Sequence, residues 1–372
     1  MVLLALALAL AACGDEDTAE TTSTTSATTT TSGESTTSSA AAAECTSGEN
    51  YTFPGPDTNG DGEVQIAVLS PGDTTDQSFY QSSVDGAKEF AAQEGWNEPI
   101  VVDRLRFGDA VEATTNVVRQ GADIVVFGAS ELAEAFYTVV EDPELQCVAF
   151  FMNGSQGIPQ NAYFFQSNND DQEASYLAGA YAALRTMREG ESARIAFIAG
   201  GEFDFAINAG VAVRLGAEAV DPDAEVTMVF TGDFDDPALA IEAGRAQVAA
   251  GANVLYSYLG GAEQALLELG VELDVFTINS GKPRCDDPGI ETIAVAFDQP
   301  GMWLQGVLPL FRDGQYTHGQ SKYYKAGVDY PGVVMCDATP EEEAAIDEIA
   351  QQIGDGTLQI AQLVQETRAA GG

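Results

Sequence analysis

Two doubly wound α/β lobes in series, joined by a hinge and facing each other across a central cleft, are the fold class this sequence predicts. Three observations carry it. From Val64 onward, short apolar runs alternate with stretches of helical period. The alternation completes one set near Phe151 and restarts at Asp170. The apolar runs are almost unbroken, as strands of a parallel sheet covered on both faces by helices require. The roughly 320 residues involved exceed the usual size of one compact domain.

In the first set, strands are expected at 64–69, 100–103, 123–127 and 147–151. Helices are expected between them at 78–93, 109–120 and 130–140. In the second set, a helix at 170–188 precedes strands at 194–199, 225–230, 253–258 and 275–278. Helices at 205–219, 237–251 and 262–270 fall between those strands. A strand at 293–297, a helix at 300–311 and a strand at 322–326 follow both sets. They let the chain cross back between the lobes. The expected organisation is therefore a first lobe of 61–167 plus about 298–326, and a second of 168–297 plus about 327–372. Ligands of doubly wound sheets lie beyond the carboxyl ends of the strands, so two facing lobes place a site between them.

Ahead of the body, residues 1–13 read MVLLALALALAAC. The apolar run is about a dozen residues, too short to cross a hydrocarbon core of ~30 Å. It ends in Leu10-Ala11-Ala12-Cys13. Small residues before a cysteine form a lipobox, in which the Cys13 thiol receives the lipid. Between Thr18 and Glu44, 17 of 27 positions are Ser or Thr, with no aromatic or branched aliphatic side chain. Such a tract cannot bury enough apolar area to offset its ordering entropy. Residues 14–60 are read as a disordered tether, holding the body at the outer face of a bacterial cytoplasmic membrane.

Composition excludes some classes. Formal net charge is -43, from 58 acids against 15 bases. Nucleic-acid binding needs clustered Lys and Arg to neutralise phosphates, so it is not expected. The acids are spread along the chain and read as a solvated surface. Five cysteines are present. With Cys13 lipidated, Cys45, Cys147, Cys285 and Cys336 remain for an oxidising compartment, with three possible pairings. The favoured set is Cys45–Cys147 with Cys285–Cys336. No Cys/His cluster points to a metal, and the single histidine, His318, lies in a turn with no nucleophile motif around it. Neither catalysis nor a cofactor is expected. Asp57-Thr58-Asn59-Gly60-Asp61-Gly62 copies half of a calcium loop, but its twelfth position is Val68, which cannot ligate. A polar turn is the favoured reading there.

Phe79 and Tyr80 stand in the first turn of the first helix, where they either stack on a ligand ring or staple the helix start. Phe234 follows a strand of the second set in Gly232-Asp233-Phe234-Asp235-Asp236-Pro237. An aromatic from each lobe sandwiches a planar ligand when such a cleft closes. Gly200-Gly201 and Gly260-Gly261 end strands, either admitting a ligand close to the backbone or simply turning the chain.

Four motifs occur in order: Asp76-Gln77-Ser78-Phe79-Tyr80-Gln81-Ser82, Tyr176-Leu177-Ala178-Gly179, Ile198-Ala199-Gly200-Gly201 and Phe234-Asp235-Asp236-Pro237. In these the chain resembles the basic membrane protein lipoproteins, purine nucleoside receptor-like substrate-binding proteins of ABC importers. The resemblance runs from about Val64 to the C-terminus. It implies a type I periplasmic-binding-protein fold, no catalysis, a nucleoside-like ligand and a permease partner, with the protein acting as a monomer. It also implies that Phe79 and Phe234 are the plates that stack on a base. Four positions depart from the family pattern. Ser70 stands where an Asp is usual, Tyr80 where an Asn is, and Asn279 where a second Asp is; the usual Lys falls near Phe297 and is unmatched. Polar contacts are expected from Ser70, Asp76, Tyr80, Gln81 and Asn279, with the backbone at Gly260 close by. Other readings kept open are a binding protein for a different metabolite and a ligand sensor for a membrane receptor.

Overall fold

A computed structural model describes residues 48–142, 145, 147–153, 158–169, 171–296 and 299–371. Cys13, Cys45, Phe297 and the Thr/Ser-rich tract lie outside these residues. Within the body, twelve strands form two six-stranded sheets. The first set is β1 (Ile66–Leu69), α1 (Phe79–Glu94), β2 (Ile100–Val102), α2 (Ala110–Arg119), β3 (Ile124–Phe127), α3 (Ala133–Val140), β4 (Ala149–Met152) and β5 (Phe165–Asn169). The second is α4 (Asp171–Arg188), β6 (Arg194–Ala199), α5 (Asp204–Val220), β7 (Glu225–Phe230), α6 (Pro237–Ala249), β8 (Val254–Tyr258), α7 (Glu263–Leu273), β9 (Phe276–Ser280) and β10 (Thr292–Ala296). Then come α8 (Pro300–Arg312), β11 (Ser321–Tyr324), β12 (Val333–Met335), α9 (Pro340–Gly354) and α10 (Ile360–Ala369).

The first sheet has the order β2-β1-β3-β4-β5-β11, and every neighbouring pair is parallel. The second is β7-β6-β8-β9-β10-β12, parallel except for the β10–β12 pair. The chain therefore passes between sheets three times: after β5, after β10 and after β11. These are the two doubly wound lobes of a type I periplasmic-binding-protein fold.

Strand periodicity sorts the core. Successive side chains point to opposite faces. Ile66 and Val68 accordingly join Val84, Phe90, Leu304 and Phe311 under α1 and α8, while Ala67 and Leu69 join Val117 and Phe136 under α2 and α3. In the second lobe Ile195, Phe197 and Ala199 face α4 and α5, and Ala196 and Ile198 face α6 and α7. Gly179 of the Tyr176-Leu177-Ala178-Gly179 motif has a packing role. A Cβ there would lie 2.1 Å from the Val213 carbonyl oxygen, so only glycine lets α5 approach α4 so closely.

Two departures from the sequence reading have local causes. Strand β5 was not expected, because Phe165-Gln166-Ser167-Asn168-Asn169 carries no apolar run; it forms because β4 and β11 supply partners on both edges. The described end of the stretch read as tether, 48–60, lies on the body. Phe53 is buried among Phe311, Tyr316 and His318, and the Phe53 N–H donates to the Tyr316 carbonyl at 2.9 Å. His318 lies in a turn, as read, and is also the buried seat of this strap. Its Nε2 accepts from the Phe150 N–H at 3.0 Å, and its Nδ1 lies 2.6 Å from the Gly48 carbonyl oxygen. Burial holds its pKa down at about 4. Of the two favoured disulfides, Cys285–Cys336 is formed, with an S–S distance of 2.07 Å, linking the β9–β10 connection to the end of β12. The Cys45–Cys147 pairing falls on Cys45, outside the described residues.

The calcium-like loop closes on itself: the Asp57 carboxylate accepts from the Gly60 and Gly62 N–H groups at 2.7 and 3.0 Å. Among the described residues no helix is long and apolar enough to cross a membrane.

Candidate functional site

The carboxyl ends of the two sheets meet across a cleft. Ser78 Oγ, before α1, donates to the Ser280 carbonyl at the end of β9 at 3.0 Å. The Tyr80 ring packs between Gly72 of the first lobe and Gly260 of the second. A Cβ would come within 2.1 Å of the ring at Gly72 and 2.8 Å at Gly260. Beside this contact lies a cavity of about 440 Å³. The first lobe lines it with Phe107, Glu131 and Ile158, and the second with Phe203, Phe205 and Asn208. That volume suits a small solute. A larger hollow of about 530 Å³ opens at the other end of the second sheet, beside Arg185 and Phe276. Only one lobe lines it, so hinge closure could not grip a ligand there.

The first lobe's wall is polar and tied down. Asp76 caps α1: its carboxylate accepts from the N–H groups of Ser78, Tyr80 and Gln81 at 2.9, 3.1 and 3.0 Å. Burial nevertheless pushes its pKa up to about 6, against those donors. The Tyr80 hydroxyl donates to Glu131 Oε1 at 3.0 Å. Burial raises the Glu131 pKa, and the charge of Asp235 adds to it. Glu131 follows β3, where a single turn of 3₁₀ helix at Ser130–Leu132 leads into α3.

Aromatic rings form the second lobe's wall. Phe203 and Phe205 lie parallel, with centroids 5.4 Å apart and planes 6° apart. Phe234 stacks against both, at 6.2 and 6.5 Å. Tyr258 adds a tilted ring 6.3 Å from Phe205, and its hydroxyl donates to Asp171. The motif glycines seat these rings. A Cβ at Gly200 would lie 2.2 Å from Phe234 Cγ, and one at Gly201 would lie 2.4 Å from Phe203 Cε2. Their space thus goes to aromatic side chains. Phe203 remains 43% exposed and Phe107, opposite, 56%, which leaves ring surface for a ligand.

The expected site residues separate into three groups. Tyr80 and Gly260 meet at the closure point, with Phe79 beside them at 5.6 Å, edge to face with Tyr80. Phe234 belongs to the aromatic wall. Asp76, Ser70 and Asn279 hold loops. Ser70 Oγ donates to the Gly72 carbonyl at 3.1 Å. Asn279 is fully buried and donates to the Lys282 carbonyl at 3.1 Å. Gln81 points along α1 to Asp85, at 3.2 Å. It borders a shallow groove of about 180 Å³ with Lys282 and Gln299, apart from the aromatic wall.

Several residues here carried no sequence signal strong enough to single them out. Glu131 is one acid among 58. Phe203 and Phe205 stand at a helix start, where an aromatic reads as packing; the preceding Gly-Gly pair was the available clue. Glu263, the first residue of α7, is wholly buried. Its Oε2 accepts from the Ser280 N–H at 3.1 Å, and its Oε1 lies 3.9 Å from Arg284 Nη1. Burial pushes its pKa up to about 8, against the pull of Arg284.

Solved structures share this architecture. A solute-binding protein of an ABC transporter system from Conexibacter woesei superposes with a TM-score of 0.62 at 22% identity, covering 80% of this chain and 98% of its own. An ABC transporter solute-binding protein from Aeropyrum pernix gives 0.63 at 18%, over 81% and 89%. A transcriptional activator of the comK gene from Bacillus halodurans gives 0.63 at 16%, over 78% and 98%. At these identities the likeness establishes the fold. The sequence is more specific: the family model of the PnrA-like ABC transporter substrate-binding proteins, Bmp, matches residues 63–275, more than half of the chain. The protein therefore belongs to the Bmp family of ABC transporter substrate-binding proteins.

Proposed function

We propose that this protein is a lipid-anchored receptor that captures a nucleoside or similar small polar solute between its lobes and presents it to an ABC permease. One observation carries the reading. The cleft at the carboxyl ends of both sheets has an aromatic wall from the second lobe and a polar wall from the first. A planar solute would lie on the Phe203–Phe205–Phe234 array, with Phe79 and Tyr80 closing over it. Stacking of this kind is worth ~0.5–1.5 kcal/mol per ring beyond area burial. Contacts made by both lobes at once stabilise the closed form, which the permease then distinguishes from the open one. Cys13 would carry the lipid, and the Thr/Ser-rich tract would give the body reach.

Two experiments test this. The purified full chain is denatured, and any co-purified small molecule is identified by mass spectrometry. The folded chain is then titrated with nucleosides and other metabolites in thermal-shift assays. A released solute that also raises the melting temperature saturably supports capture. No solute released and no shift from any compound would contradict it. For the anchor, incorporation of labelled palmitate should vanish in Cys13→Ala.

A further inference from the structure

We infer that the solute held in this cleft carries a positive charge, an ammonium or amidinium group seated between the Glu131 carboxylate and the exposed faces of Phe203 and Phe107. The inference deepens the proposed function and rests on it.

The charge around the cleft is one-sided. Among its described lining residues there is no lysine, arginine or histidine, while Glu131, Glu134 and Asp204 all line it. Bases around it are paired. Arg106, next to Phe107, holds Asp109 at 2.7 Å. Arg368 holds Asp204 at 2.8 Å and Asn208 at 2.5 Å. Arg104 holds Asp73 at 2.5 Å and Asp103 at 3.3 Å. Asp204 is thereby neutralised, whereas Glu131 has neutral partners, the Tyr80 hydroxyl and its own backbone N–H.

Behind Glu131 the same sign accumulates. Asp235 reaches across from the second lobe, where its Oδ1 accepts the Gly261 N–H at 2.6 Å. Its charge is felt at Asp76, Tyr80 and Glu131 alike, and burial raises the pKa of the Asp76, Glu131 and Asp235 carboxyls. Removing carboxylates from water without a counter-ion is costly. A cationic guest recovers part of that cost, and an anion would add to it. The rings add a second, independent preference. Phe203 and Phe107 line the cavity with exposed ring surface, and the negative face of an aromatic ring attracts a cation within about 6 Å. At long range the net charge of -43 draws cations toward the surface.

The test is isothermal titration of the full chain with agmatine, putrescine and choline, in parallel with adenosine and inosine as neutral planar probes. The expected result is saturable binding of at least one cation, weakening as salt is raised. Glu131→Gln, which keeps the side chain's shape, should weaken that binding about tenfold or more, as loss of a charged partner from a desolvated contact does. Phe203→Ala should weaken it independently, and both variants should keep the wild-type melting transition. Saturable binding of adenosine or inosine with none of any cation would overturn the inference while leaving solute capture intact. Cation binding that is unchanged in Glu131→Gln would overturn it equally. If no probe binds and no solute co-purifies, the inference and the proposed function fall together.

Discussion

The two lobes share one architecture but meet the cleft with opposite chemistry. The first offers hydrogen-bonding groups already engaged with one another: the Asp76 cap, the Tyr80–Glu131 pair and the Asp73–Arg104 ion pair. The second offers a stack of rings seated on glycines. Under the proposed function, this division separates two tasks. Rings provide apolar area and are indifferent to rotation of a guest in its plane, whereas a carboxylate fixed by its neighbours supplies direction and charge. Closure would be needed to hold the proposed solute, because neither wall alone surrounds the cavity.

The largest expected effect opposes the cleft to the strap. His318 sits beneath the strap with its pKa lowered to about 4 from an ordinary 6.5. Between those values the unfolded chain binds a proton that the folded one refuses. Its contribution is therefore complete above pH 6.5 and lost as pH falls through 4, worth up to ~3 kcal/mol. Glu263 and Asp76, at the cleft, behave oppositely. Their raised pKa values mean that the folded chain keeps protons the unfolded chain releases. That stability is complete below their ordinary values, and it is lost as pH rises through about 6 for Asp76 and about 8 for Glu263. Hydrogen exchange at pH 5 should loosen the strap around Phe53 first, and at pH 8.5 the β9–α7 region. Glu263→Gln should abolish most of the alkaline loosening and none of the acid one. Equal loosening of both regions at both pH values would break the comparison.

Gly200→Ala tests the aromatic wall next. The added methyl meets the Phe234 ring, and overpacking of this kind costs ~1–3 kcal/mol. Thermal melts should show the loss, accompanied by weaker binding of whichever solute the thermal-shift titration identifies. Phe234→Ala should weaken that binding by a similar ~1–3 kcal/mol while leaving the first lobe's exchange pattern unchanged. Unaltered affinity would remove Phe234 from the solute's contacts. The smallest effect is expected from Tyr80→Phe. It removes one hydroxyl bond to Glu131, worth ~0.5–1.5 kcal/mol, and keeps the ring that fits between Gly72 and Gly260.

Much of the fold is legible in the chain because burial on both faces of a parallel sheet leaves a plain trace: Ile66–Leu69, Ile124–Phe127 and Arg194–Ala199 are short apolar runs between helical periods. Strand β5 is not legible, since its stability comes from partners on either side and not from its own side chains. The loops that follow β1, β6, β7 and β8 converge, as their position after parallel strands dictates. What position cannot reveal is the direction of a polar side chain. Ser70 follows β1 and Asn279 lies near the end of β9; Ser70 Oγ donates to the Gly72 carbonyl and the Asn279 amide to the Lys282 carbonyl. Glu131 accepts from the Tyr80 hydroxyl and was hidden in a sequence full of acids. Gly200 and Gly201 were noticed as places of close approach, and what approaches them is an aromatic ring of the protein itself.

Small-angle X-ray scattering on the full chain, with and without the solute identified by titration, tests the central claim most directly. If the lobes close around a guest, the solute-free protein should show a larger radius of gyration, and adding the solute should give the smaller one at saturation. A radius unchanged by addition of the solute would contradict capture by closure.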